Sequence, residues 1–153
     1  MGAIFNVFPL ILIPVLIYNI WAFGSTAAGT AAVDVRRHLD ERMFGVNMAS
    51  QESVNGVMTA VQWSVSFGDL MVLLALLLLF IELLKSTSTG TAAIFNHALS
   101  MLVFIICLVE FLLHPAFATT AFFLILVMSL LDVLAGVVVT IVSARRDVEF
   151  AGQ

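Results

Sequence analysis

Cysteine is nearly absent from this chain. Cys107 stands alone inside a hydrophobic run, so no disulfide can form within the chain and Cys107 reads as a small buried apolar residue. Charge is almost as scarce. Six Lys and Arg stand against ten Asp and Glu, for a net charge of −4. That leaves no basic patch for a phosphate backbone and excludes nucleic acid as a partner. Catalytic signatures are missing as well: no nucleophile elbow, phosphate loop or zinc-hydrolase helix occurs. Gly68-Asp69 loosely echoes an intramembrane aspartyl-protease motif, but the preceding glycine and a second Tyr-Asp are lacking. No enzymatic activity, cofactor or metal is therefore expected. Internal repeats and low-complexity tracts are absent too.

Apolar surface is what the chain has in excess. Of 153 residues, 62% are hydrophobic and 10% charged, and the mean hydropathy is +1.15. A soluble domain of this size could not cover so much apolar surface. The expected fold is all-α: one polytopic membrane domain over residues 1–153, with the lipid bilayer as its first partner. Four transmembrane helices are predicted, at about 4–23, 63–84, 93–113 and 119–143. The last three should form an antiparallel bundle with short connections.

The leading run, Ile4 to Phe23, resembles a signal peptide in the small residues Ser25-Thr26-Ala27 that follow it. It has no Lys or Arg before it and carries Pro9 and Pro14, so it is read as a retained span, bent at Pro14. Tyr18, Asn19 and Trp21 suit a membrane interface. The segment 24–59 is the only long polar stretch. Within it Ala32, Val35, Leu39, Met43 and Val46 recur at helical spacing opposite Asp34, Arg36, Arg37, Asp40 and Glu41. This predicts a short amphipathic helix on the membrane surface, the alternative being an ordinary loop with some helix.

The second span can extend backwards as helix to Val57. Trp63 and Lys85 suit its two interfaces, and Gly68, Ala75 and Glu82 share a face, with Asp69 beside it. Ser86 to Gly90 then forms a polar loop. In the third span Asn96, Ser100, Val103, Cys107, Glu110 and His114 step by four and three, with His97 alongside. Pro115 ends this helix, and Thr119 or Thr120 can cap the next. The fourth span carries one charge, Asp132, in line with Ser129, Gly136, Thr140 and Ser143. Ser129, Gly136, Thr140, Ser100, Gly68 and Ala75 form the expected helix-packing face.

Asp132, Glu110, His97, His114, Glu82 and Asp69 are the candidate intramembrane polar site. A carboxylate in hydrocarbon is costly, so Asp132 must be neutral, hydrated in a cavity or paired with a cation from elsewhere. By helical rise it should lie roughly 10 Å from each of the polar clusters at the two ends. One reading is a proton-coupled transporter or a proton- or cation-conducting channel using Asp132 with Glu110 and His97. The other is a non-enzymatic oligomeric or accessory subunit whose polar helix face docks a second copy or another membrane subunit. Glu110 and His114 could offer two ligands to a metal, yet no second helix supplies a matching pair. His97 and His114, on one helix roughly 25 Å apart, cannot grip one haem iron. Lys85 and Arg145-Arg146 favour both termini in the cytoplasm, while Arg36, Arg37 and Arg42 argue the other way. A bacterial inner membrane fits the absence of disulfides.

Overall fold

The structure is a computed structural model that describes residues 8–85 and 91–151, of which 91–93 and 143–151 are described as helical backbone only. The expected loop 86–90, the first residues of the expected leading span and the side chains of Ser143, Arg145 and Arg146 lie outside the described residues. The elements are α1 (Leu12–Ala27), α2 (Ala32–Asp40), β1 (Arg42–Val54), β2 (Val57–Ser66), α3 (Phe67–Lys85), α4 (Thr91–Leu113), a 3-10 turn (Pro115–Phe117) and α5 (Thr120–Ala151).

Helices α3, α4 and α5 are long and apolar enough to cross a membrane; α1 is apolar but shorter, at 16 residues. Pro14 does not bend α1 in mid-course. The helix begins at Leu12, so Pro14 falls in the first turn, where its missing N–H costs no hydrogen bond.

The polar segment corrects the all-α expectation. Its amphipathic helix stops at Asp40, once Val35 and Leu39 are buried. Met43 and Val46, expected on the same helix, lie in β1, and the residues from Val57 to Ser66, expected as loop and helix, form β2. The two strands pair antiparallel, from Arg42 opposite Ser66 to Val54 opposite Val57. Asn55 and Gly56 turn the chain with φ of 53° and 82°. Positive φ at both positions is what a two-residue hairpin turn demands, and Asn-Gly supplies it.

Helix α3 therefore starts at Phe67 rather than at Trp63. Ser66 caps it: its hydroxyl accepts from the Asp69 N–H at 3.2 Å, while the Asp69 carboxylate accepts from the Ser66 N–H at 2.9 Å. This reciprocal pair is a capping box. It converts strand to helix with no residue between them.

Contacts define how the long helices lie. Along α4 and α5, His97 meets Gly136, Ser100 meets Asp132 and Phe111 meets Phe123. The numbers rise on one helix as they fall on the other, so the two run antiparallel. Helix α3 packs on the other flank of α5, and Gly68 approaches Ala121 so closely that a Cβ there would lie 3.3 Å from the alanine methyl. Helix α5 is thus central. Helix α1 crosses this group from end to end: the Leu10 N–H reaches Glu82 near the end of α3, and the Tyr18 hydroxyl reaches Thr119 and the Ala116 carbonyl at the α4–α5 turn. Tyr18 is therefore a buried core residue, ringed by Trp21, Phe117 and Phe122, rather than an interface anchor. Helix α2 covers the same turn, where Arg36 donates to the Pro115 carbonyl at 2.6 Å.

Candidate functional site

Among the described residues five polar side chains are buried, and they lie on α3, α4 and α5: Glu82, Asn96, Ser100, Ser129 and Asp132. Helical spacing alone brings them together. Asn96 and Ser100 are one turn apart on α4, and Ser129, Asp132 and Gly136 follow one stripe of α5 that faces it.

Glu82 is the best-satisfied member. One oxygen accepts from Asn96 Nδ2; the other accepts from the Leu10 N–H and from Lys85 Nζ, both at 2.9 Å. Lys85 also donates to the Phe8 carbonyl at 2.9 Å and is itself only 11% exposed. Three donors, one of them cationic, compensate a carboxylate that has no water. Its partner on α4 is Asn96.

From Asn96 the network continues inward. Ser100 Oγ lies 3.1 Å from the Asn96 carbonyl and 2.6 Å from Asp132 Oδ2. Ser100 thus ties Asp132 to α4 one turn from Asn96, the residue that reaches Glu82. Ser129 is spent on its own helix, donating to the Leu126 carbonyl at 2.7 Å, and Thr140 likewise donates to Gly136.

Four buried polar atoms have no partner among the described residues: Asp132 Oδ1, Asn96 Oδ1 and both ring nitrogens of His97. The imidazole fills the space over Gly136, where an added Cβ would overlap it. The glycine expected as a general packing residue thus has one particular neighbour.

At the opposite end the expected residues separate. The Glu110 carboxylate accepts from Asn19 Nδ2 at 3.2 Å, and its link to His114 is the backbone bond from the His114 N–H to the Glu110 carbonyl at 2.9 Å. His114 instead accepts from the Ala116 N–H at 3.3 Å and packs edge-on against Phe23 and Phe117, so it builds the turn. Asp69 is exposed and serves the α3 cap. Between Asp132 and Glu110 the interior is filled by Val103, Cys107, Ile125 and Met128, with Ser129 turned to its own backbone. No group of three His, Cys, Asp or Glu placed to hold a metal occurs among the described residues.

Sequence reasoning placed Lys85 at an interface and missed its pairing with Glu82, although the i, i+3 spacing was there to see. It placed Asn19 at a membrane interface and not against Glu110. No local pattern links that residue to Glu110 across 91 positions. Comparison with known protein families, with curated proteins and with solved structures finds no match.

Proposed function

We propose that this chain is a non-enzymatic integral-membrane subunit that acts by assembling with a further membrane chain, in the first place a second copy of itself. One observation carries the reading: among the described residues β1 and β2 form a sheet of two strands, so each strand has an edge that no described strand pairs. The two edges differ. β1 is interrupted at Arg42/Phe44 and Asn47/Gln51 and carries Arg42 and Glu52. β2 is ten residues long, without proline or charge. Sheets that must stay alone guard such an edge with charge, proline or a bulge. An unguarded edge is a template for another strand.

The polar helix face serves this reading from within. Its acids, amide and hydroxyls hold α3, α4 and α5 to one another, so assembly falls to the hairpin. Helix α1, reaching from Glu82 to the α4–α5 turn, acts with the residues before it as a fourth span in an antiparallel group. Lys85 and the start of α1 lie at one end, which we assign to the cytoplasmic side of a bacterial inner membrane.

The test is the protein mass in lipid nanodiscs, with residues 43–65 replaced by a short Gly-Ser linker for comparison. The full chain should be oligomeric and the shortened one monomeric, with unchanged helical signal. A monomeric full chain would sink the proposal; a co-purifying different subunit would make it an accessory chain.

A second reading is favoured by the unpartnered Asp132 Oδ1 and His97 nitrogens, which fit a proton or cation site entered from the Lys85 end. Proton flux into dye-loaded vesicles that is lost in Asp132→Asn, from folded protein, would favour this transport reading.

A further inference from the structure

The hairpin has two unlike faces. In the observed register Phe44 opposes Val65, Val46 opposes Trp63 and Val54 opposes Val57, and alternation puts these on one face with Val61, where Glu52 opposite Thr59 is the one polar pair. Gly45 opposite Ser64, Asn47 opposite Gln62, Gln51 opposite Ala60 and Ser53 opposite Met58 lie on the other, where Met58 is the one large apolar side chain of these pairs. The first face is largely apolar and, beyond the buried Val65 at its root, open: Phe44, Val46, Val54, Val57 and Trp63 are each about half exposed or more. Phe44 and Trp63 meet edge to face on it, with ring centroids 6.3 Å apart. A two-stranded ribbon with nothing on its apolar side is marginal in water.

We propose that this face rests on the lipid bilayer, at headgroup depth, as a surface anchor beside the membrane-crossing helices. Continuity is the first reason. β2 ends at Ser66 and α3 begins at Phe67, so the apolar face starts where a membrane-crossing helix starts, with no linker to carry it away. Further along, α3 exposes Leu73, Leu76, Leu77 and Phe80. Charge is the second reason: between Arg42 at the root and the chain's return at Ser66 only Glu52 is ionisable, and although it shares this face it stands three residues from the turn, where headgroup water can hydrate it. The aromatic pair at the root, four residues before α3, is the kind that settles at the lipid–water boundary. The unpaired edges set the depth. Hydrocarbon would leave their backbone groups unsatisfied, whereas headgroup water does not. The inference concerns the face and not the edge, and it stands whether or not the chain oligomerises.

The test attaches a nitroxide at one position at a time in the full chain, with Cys107→Ala as background, in phosphatidylcholine vesicles. Val57→Cys and Val61→Cys report the apolar face; Gln62→Cys and Ser64→Cys report the other. Collisions with lipid-soluble oxygen should exceed those with a water-soluble nickel chelate several-fold on the first face, and the order should reverse on the second. A label-free measurement guards against disturbance by the nitroxide: with Trp21→Phe, Trp63 should be quenched by lipids brominated near the headgroup and little by aqueous iodide. Nickel and iodide access on both faces would overturn the proposal by leaving the hairpin in water. Exclusion of both reagents from the apolar face would overturn it in favour of a protein cover.

Discussion

The imidazole of His97 occupies the space that a side chain at position 136 would need, so α4 and α5 approach closely only because residue 136 is glycine. Four positions along α5, Asp132 takes the Ser100 hydroxyl across the same interface. The two contacts fix the rotation of both helices about their axes.

Gly136→Ala should therefore destabilise the protein by about 1–3 kcal/mol, the usual penalty for overpacking a tight interface. Adding His97→Ala should recover most of that loss, because the methyl then enters the space the ring leaves. Reversible unfolding in mixed micelles, run as a double-mutant cycle, measures both effects. Additive losses would show that Gly136 and His97 are not coupled.

Ser100→Ala removes the one side-chain hydrogen bond that Asp132 makes among the described residues and leaves a buried carboxyl unsatisfied, at about 1–3 kcal/mol. Asp132→Asn keeps an acceptor for Ser100 and removes the charge, so it should be neutral or stabilising. The same unfolding measurement ranks the two. Asp132→Asn losing as much as Ser100→Ala would mean that the carboxylate charge itself holds the helices.

The polar stripe is legible in the sequence because hydrocarbon leaves polar side chains nowhere to point but inward; Asn96, Ser100 and Asp132 duly share an interface. The hairpin has its signals too, in Asn55-Gly56 between alternating apolar residues and in the Ser66–Asp69 cap. They are masked because Leu39, Met43 and Val46 continue a helical spacing that tertiary burial ends at Asp40. The roughly 10 Å expected between Asp132 and the Glu82 end is helical rise alone and leaves out side-chain reach, by which Ser100 on α4 meets Asp132. The contacts of α1 with Glu82, Glu110 and Thr119 have no local signal, since they depend on how a helix docks some 70–100 residues from its partners.

Lys85→Met should cost about 3–5 kcal/mol, since Glu82 would keep its burial and lose its cation. Glu82→Gln in the same chain should restore much of the loss, because the amide still accepts from Leu10 and carries no charge. Equal instability of the single and double variants would show that packing, not charge, is what Lys85 provides.

Replacing Asn55-Gly56 by Ala-Ala forces two L-residues with side chains into positive φ, at roughly 1 kcal/mol or more per position. An isolated hairpin has little stability to spare. The strands should therefore loosen, while α3, still capped by Ser66 and Asp69, keeps its start. Amide hydrogen exchange separates these outcomes. Protection should fall across 42–66 and stay unchanged from Leu70 onward. Loss of protection inside α3 would mean that the hairpin, rather than the capping box, holds the entrance to the membrane helix, and that strand and helix fold as one unit.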